Sequence, residues 1–167
     1  ALTFTISATD ADGDAITYSA TGLPSGASLN SSTGAFSWMP SYSQSGSYSV
    51  TFTASDGDGG SAQETITITV NNVNRAPILA AIGNKTVAEN AALTFTVTAS
   101  DPDGTAVTLS ASNLPTGATF NAGTGAFSWT PSYSQAGTYS NIHFEVSDGS
   151  LIDSENITIT VTNTNRA

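Results

Sequence analysis

Pairs of aspartates lie at positions where their carboxylates could bind a cation. Asp10 and Asp12 form one pair, Asp101 and Asp103 form the other, and each pair precedes a glycine. Carboxylate oxygens are preferred ligands of Ca²⁺, but aspartate and glycine also build turns together. Calcium binding and plain turn chemistry are therefore both open. An EF-hand is excluded, because its loop needs glycine at the sixth position and glutamate at the twelfth, where the first pair has alanine and threonine.

Few residues of the chain are candidates for catalysis. The single histidine, His143, lies between Ile142 and Phe144, so strand alternation places it on a solvent face. The serines have no recognisable base partner, and the chain has neither a phosphate-binding glycine motif nor a zinc pattern. The absence of cysteine rules out disulfides and thiolate metal sites. We predict that the chain is not an enzyme and has no catalytic residues.

The charge balance limits the classes of partner. Thirteen acidic residues stand against three basic ones, for a net charge of −10, and such a surface repels nucleic acid. The same charge is compatible with a divalent cation. No apolar run approaches the ~20 residues that span a bilayer. We therefore expect no nucleic-acid partner and no membrane insertion in this segment.

An internal repeat organises the chain into two homologous modules. Several motifs recur at a constant offset of 91 residues: 2–5 at 93–96, 36–38 at 127–129, 40–44 at 131–135 and 66–70 at 157–161. So many matches at one spacing predict two domains, 1–75 and 76–167. Pro77 would stiffen the joint, and we expect modules joined through residues 72–77 to stack end to end.

Alternation of apolar residues with threonine indicates that both modules are all-β. Turn sequences separate seven predicted strands in the second module: near 84–89, 92–100, 106–112, 118–121, 125–129, 138–147 and 154–162. Seven strands in about 90 residues are typical of an immunoglobulin-like β-sandwich. Tyr48 and Tyr139, each following Gly-x, resemble the tyrosine corner of such folds.

Two asymmetries distinguish the modules. Residues 76–91 have no counterpart in the first module, which therefore lacks its initial strand in this chain. Either the sequence is cut inside a longer array, or a neighbouring molecule donates the strand to an open sheet edge. The second module also carries one extra residue near Asn141. We predict a β-bulge there, which keeps Ile142, Phe144 and Val146 facing inward.

Four motifs carry a family resemblance across both modules. In the second they are Leu114–Gly117, Thr124–Pro131, Gly137–Tyr139 and Asp148–Gly149. They resemble the immunoglobulin-like repeats of bacterial and archaeal proteins and the related dystroglycan-type, cadherin-like repeats. The resemblance implies tandem Ig-like or cadherin-like β-sandwiches in a large extracellular or cell-surface protein. Such repeats are often adhesive, and some are appended to polysaccharide-degrading enzymes.

A second resemblance, to cadherins proper, implies a calcium site. It rests on the segments 72–77, 87–90 and 99–104. By that resemblance the ligands facing the joint would be Asp101, Asp103, Asp148, Asn72 and Asn74; those facing an upstream module would be Asp10, Asp12 and Asp56; and Glu89 would point to the far end, toward Asn163 and Asn165. Arg75 stands where another carboxylate is expected, and the mid-module acidic triplet is missing. One ion is therefore expected rather than a full cage.

Repeated aromatic residues have two interpretations. Trp38 and Trp129 occupy matching positions, as do Tyr42 and Tyr133. A repeated tryptophan usually belongs to a core, whereas an exposed Trp and Tyr pair can stack on sugar rings. Both interpretations are open.

These observations predict a structural or adhesive role. The modules would form an extracellular rod or fibre, with neighbouring repeats of the same protein as partners and with calcium at the joints. The alternatives are a carbohydrate-binding accessory module of a secreted protein and a strand-exchanging filament subunit.

Overall fold

The chain folds as two compact units. The computed structural model describes residues 1–165, and the units are Ala1–Val73 and Asn74–Ala167, here called module 1 and module 2. The division falls two residues before the predicted one, because Asn74 and Arg75 bond to side chains of module 2. The all-β prediction is confirmed, since residues 1–165 contain no helix. Accordingly, that part of the chain has no helix able to cross a membrane.

Module 1 is a sandwich of two three-stranded sheets. Its strands are β1 (Leu2–Thr5), β2 (Thr17–Thr21), β3 (Ser28–Leu29), β4 (Ala35–Trp38), β5 (Gly46–Ser55) and β6 (Ser61–Val70). One sheet has the order β1-β4-β3 and the other β2-β5-β6. The residues that point between the sheets form the core: Phe36, Trp38, Val50, Phe52 and Ile68.

Module 2 repeats this arrangement and adds a strand at the start. Its strands are β7 (Ile78–Leu79), β8 (Lys85–Ala88), β9 (Leu93–Thr96), β10 (Ala99–Ser100), β11 (Thr108–Ser112), β12 (Thr119–Asn121), β13 (Ala126–Trp129), β14 (Gly137–Ser147) and β15 (Ile152–Thr162). The sheet orders are β12-β13-β9, β10-β7 and β11-β14-β15-β8. β7 and β8 are two parts of one interrupted strand, and so are β9 and β10. Counted in this way, module 2 has the seven strands that were predicted.

The first strand of module 2 changes sheets along its length. β7 pairs antiparallel with β10, and β8 then pairs in parallel with the end of β15. The predicted strand near 84–89 corresponds to β8. The prediction missed β7, because a two-residue strand directly after Pro77 shows no periodic pattern. Within residues 1–165, module 1 has no counterpart of either segment.

Two local predictions are confirmed. Tyr48 and Tyr139 donate their hydroxyl protons to the carbonyls of Gln44 and Gln135, at 3.0 and 3.1 Å, which is the tyrosine-corner geometry. The register between β14 and β15 shifts between Tyr139 and Ile142, as expected for a bulge. As a result, three apolar residues of β14 point into the core: Ile142, Phe144 and Val146.

Candidate functional site

Two acidic loops of module 2 organise their own backbone. Asp101 Oδ1 accepts the N–H groups of Asp103 and Thr105 at 2.8 and 3.2 Å. Asp148 Oδ1 accepts the N–H groups of Ser150 and Leu151, both at 2.7 Å. Each aspartate therefore holds a turn, as its local sequence favours.

The linker residues Asn74 and Arg75 dock onto these loops. The Arg75 backbone N–H donates to Asp103 Oδ2 at 2.7 Å, and its Nε donates to Asp103 Oδ1 at 2.8 Å. The guanidinium also donates to the Pro102 carbonyl, and the Asn74 amide donates to Asp148 Oδ2 at 2.7 Å. We call Asn74, Arg75, Asp103 and Asp148 the linker clasp.

Both carboxylates of the linker clasp are stabilised in their ionised form. The side-chain hydrogen bond from Arg75, and then its backbone N–H, lower the pKa of Asp103 below its usual value. The Asp148 charge opposes this shift, so the two carboxylates interact. Backbone N–H groups of Leu151 and Ser150, followed by the Asn74 amide, lower the pKa of Asp148. Since the clasp carries two negative charges, a cation at this position is stabilising, and Arg75 supplies it.

The carboxylates at this corner are already engaged by the protein, whereas calcium takes about 6–8 oxygen ligands. Both oxygens of Asp103 and of Asp148 accept hydrogen bonds, and the Arg75 guanidinium places a positive charge beside Asp103. Asp101 Oδ2 is buried without a partner, which leaves one orphaned oxygen at this corner of the described chain. Asn72 is exposed. Within residues 1–165, no three acidic or histidine side chains are grouped so that they could hold a metal.

In module 1, the acidic residues likewise hold turns. Asp10 Oδ1 accepts N–H groups from residues 12, 13 and 14, and these bonds lower the pKa of Asp10. Asp56 Oδ1 accepts N–H groups from residues 58, 59 and 60. Asp12 is exposed. Turn formation, the second interpretation of these loops, therefore accounts for the contacts of Asp10 and Asp56.

Glu89 lies at the other end of module 2. It is 5% exposed, and its Oε2 accepts the N–H of Thr164 at 2.9 Å, which places it beside the predicted neighbours Asn163 and Asn165. Its Oε1 has no hydrogen-bond partner among residues 1–165. This carboxylate holds the segment that follows β15 in place.

The tryptophans belong to the two cores. Trp38 and Trp129 are each 1% exposed, so no sugar ring can stack on either indole, and their assignment to a glycan platform is corrected to core packing. Their Nε1–H groups donate to backbone carbonyls at 3.1 and 3.2 Å. Tyr42 and Tyr133 are 60% and 40% exposed. Of the predicted carbohydrate-binding residues, these two tyrosines alone are accessible to a glycan.

A pair of carboxylates that was not predicted from the sequence holds the first strand of module 2. Glu155 accepts the N–H groups of Ile82 and Gly83 at 2.7 and 2.9 Å, and Asp153 accepts that of Leu79 at 2.8 Å. A signal was available, because a glutamate stands at the same repeat position in both modules. The sequence alone does not show that its partner is a strand more than 70 residues away.

His143 lies on the outer surface of β14, as predicted. Its Nδ1 is 2.9 Å from the Asn156 Oδ1 across the strand pair, and its Nε2 is 3.7 Å from Glu145. These are surface pairs on one sheet.

Comparison with known proteins identifies both modules. Residues 1–71 and 76–164 match the family described as "Putative Ig domain". A chitinase A of Pseudoalteromonas piscicida is 37% identical over 106 residues, covering 62% of this chain. The match spans only 13% of that relative's length.

Solved cadherin structures share the fold. Mouse cadherin-23 EC22-24 has a TM-score of 0.55 at 19% identity, covering 95% of this chain and 58% of that one. Human protocadherin-24 EC1-2 has a TM-score of 0.52 at 19% identity, covering 97% and 88%. At this identity the likeness concerns the fold alone.

Proposed function

The chain belongs to the Putative Ig domain family in both of its modules, and we propose from this premise that it is a non-catalytic spacer. The modules are Ig-like, cadherin-like repeats of the extracellular type. In the proposed role they follow one another end to end and separate other parts of a secreted protein. The chitinase relative, of which the match spans a small part, supports an accessory position of this kind.

The observation that carries the proposal is the course of the chain through module 2. The chain enters module 2 at the linker clasp, where Asn74 bonds to Asp148, and β8 then runs parallel to the end of β15. Both strands therefore lead away from the linker clasp, and the chain leaves the module at the opposite end, past Thr162. The eleven residues of β15 span about 35 Å at the usual rise per residue. Each such module would add that length to an array.

The linker clasp supports the same role without a metal. Two backbone-anchored carboxylates and a guanidinium fix the residues immediately before the first strand. Arg75 contacts both oxygens of Asp103, with its guanidinium on Oδ1 and its backbone N–H on Oδ2, and two such charge-assisted contacts fix direction as well as distance. The proposed joint is therefore held on the module 2 side by Arg75, in place of the predicted calcium ion.

Small-angle scattering of the full chain tests the arrangement. Two modules end to end should give a maximum dimension of roughly 70 Å, about twice the strand length. The matched variant Asn74→Gly/Arg75→Gly removes the side-chain donors of the linker clasp and should broaden the distance distribution. A compact particle with a maximum dimension near a single strand length would refute the end-to-end arrangement.

Thermal unfolding in EDTA, in millimolar calcium and in magnesium tests the metal-free joint. We expect the same melting temperatures in all three, because a ligand stabilises only the state that binds it. A calcium-specific rise that Asp103→Asn abolishes would show that the predicted ion binds despite Arg75.

Glycan binding is a second candidate function, favoured by the exposure of Tyr42 and Tyr133 at repeated positions. Tyrosine rings can stack on the apolar faces of sugars. A chitin pull-down tests it, with the double variant Tyr42→Ala/Tyr133→Ala as the matched control. Retention that the double variant loses would support the candidate, and absence of retention would exclude chitin as the ligand.

A further inference from the structure

The first and last strands of module 2 are connected along most of their length. Residues 85–88 of β8 pair in parallel with residues 159–162 of β15. Val87 and Val161, which are partners in this register, are 8% and 3% exposed, so the paired section belongs to the core. The hydrogen bonds of a parallel pair are evenly spaced and connect one strand with the other. They therefore lie across any tension that acts along the strand axis.

On the linker side of the paired section, side-chain oxygens continue the connection. The two carboxylates described above, Asp153 and Glu155, accept backbone N–H groups of the first strand. Closer to the paired section, the Asn84 side-chain oxygen accepts the Thr158 N–H at 2.8 Å. The partners in these bonds are 72–74 residues apart in sequence, and the ladder partners lie in the same range. The side chains therefore keep the register of the ladder.

At the opposite end of the paired section, Glu89 continues the connection. Its backbone N–H donates to the Thr162 carbonyl at 3.0 Å, and its Oε2 accepts the Thr164 N–H at 2.9 Å. The side chain is 5% exposed, and a hydrogen bond to a carboxylate is stronger than one between neutral groups. The segment by which the chain leaves module 2 is therefore fixed to the end of the first strand.

The chain enters and leaves module 2 at opposite ends of these two strands. It enters at the linker clasp, where Asn74 bonds to Asp148, and leaves past Thr164. Tension on the chain would therefore pull the first strand toward the linker clasp and β15 in the other direction. Such a load slides two strands along each other, so their connecting hydrogen bonds must break together. A load that separates the strands at one end breaks the same bonds one after another.

We propose that module 2 bears tension through its first and last strands. We call residues 79–89 and 153–164 the joined strands. Four polar side chains extend the four-residue ladder over their length: Asn84, Glu89, Asp153 and Glu155. The inference rests on the proposed spacer role, because a spacer transmits the forces that act on the parts it separates. It adds that this spacer resists extension along its own axis.

Single-molecule pulling on the full chain tests the proposal. The chain has no cysteine, so introduced cysteines define where the load is applied. Asn72→Cys with Asn165→Cys loads the joined strands lengthwise, whereas Ala91→Cys with Asn165→Cys separates them at one end; all three positions are exposed. The lengthwise pair should need a force higher by roughly twofold or more, because its bonds break together and forced unfolding follows the unfolding rate. Equal forces in the two directions, or a higher force for the second pair, would overturn the proposal.

Asp153→Asn/Glu155→Gln tests the contribution of the side chains. The amides keep an acceptor oxygen but lose the charge, which weakens each hydrogen bond. The lengthwise force should fall, while the force that separates the strands should change little because separation begins at the other end. Glu145→Gln, on the outer surface of β14, is the matched control and should leave both forces unchanged. A proportional loss in both directions would mean that Asp153 and Glu155 only stabilise the module as a whole, which contradicts their proposed role.

Small-angle scattering of the same chain distinguishes this proposal from the proposed function. An extended particle together with equal pulling forces would refute the role of the joined strands and leave the spacer role intact. A compact particle would remove the spacer role, and with it the premise of the inference.

Discussion

The two modules use the same residues to build the same half of a sandwich. The strand Ala-Phe-Ser-Trp occurs as β4 and again as β13, with the same alternation of exposed and buried residues. Phe4 stacks on Phe36 at 4.6 Å between ring centroids, and Phe95 on Phe127 at 4.5 Å. Local alternation and turn chemistry therefore suffice to reproduce this geometry in either module.

The modules differ in what closes the sandwich. The buried core has eleven residues in module 2 and five in module 1. The difference arises where β7, β8 and the segment between them cover the core of module 2, since apolar area removed from water is the main stabilising term. One additional strand thus converts a partly open sandwich into a closed one, and module 2 should be the more stable.

Trp129→Ala should have the largest effect on stability, because it removes a buried side chain from the module with the larger core. The indole is 1% exposed and packs edge-on against Tyr139 at 5.0 Å. Truncation of a buried tryptophan costs about 3–5 kcal/mol, so module 2 should become the less stable unit. Chemical denaturation followed by the fluorescence of the remaining Trp38 and by circular dichroism checks this reversal. A loss below about 1 kcal/mol would contradict the packing described.

Glu155→Gln should release the first strand of module 2. Hydrogen bonds to a charged group contribute about 1.5–3 kcal/mol each, and partial exposure reduces this, so we expect a loss of about 2 kcal/mol. Glu64→Gln is the matched control, with an expected change near zero because within residues 1–165 no backbone N–H donates to the Glu64 carboxylate. Urea denaturation measures both, and equal losses would remove the distinction between the modules.

Acidification should lower the melting temperature of module 2 more than that of module 1. The pKa values of Asp103 and Asp148 are lowered in module 2, and that of Asp10 in module 1. A lowered pKa contributes stability that is present above the unfolded-state value and lost as the pH falls through the folded-state value, so the loss should occur below about pH 4. Melting curves between pH 7 and pH 3 check the order, with Arg75→Met expected to reduce the sensitivity of module 2. Equal sensitivity of both modules would contradict the role of the linker clasp.

The bulge in β14 should give the smallest effect. Asn141 has a φ of 59°, a conformation that asparagine and glycine tolerate and β-branched residues do not. Asn141→Gly should therefore change the stability of module 2 by less than about 0.5 kcal/mol, and Asn141→Val should cost about 1 kcal/mol or more. Thermal denaturation of the two variants provides the measurement. Equal stability of the two variants would show that the backbone conformation at residue 141 does not restrict the type of residue there.

Local features of the fold were predictable from the sequence, whereas contacts between distant segments were not. Alternation predicted the strands, the extra residue near Asn141 predicted the bulge, and the Gly-x-Tyr pattern predicted both tyrosine corners. Each of these depends on neighbours in the chain. By contrast, β7 depends on pairing with β10 some twenty residues later.

The candidate site shows the same limit. The sequence marked Arg75 as a departure from a calcium-binding linker. The structure shows the guanidinium on Asp103, a contact across 28 residues that depends on how the linker meets the loop. Arg75 is one of only three basic residues and lies directly before the first strand of module 2. That position was the available signal for a contact with an acidic loop. The burial of both tryptophans was likewise left open, because exposure depends on the opposing sheet.

Hydrogen–deuterium exchange of residues 1–167 tests the central claim, that the first strand closes module 2 and that module 1 has no such cover within residues 1–165. Matched amides of β6 and β15 should differ, with those at Ile66 and Ile68 exchanging faster than those at Ile157 and Ile159, because local opening is easier where fewer apolar contacts are lost. Equal protection at the matched positions, or stronger protection in β6, would contradict the account.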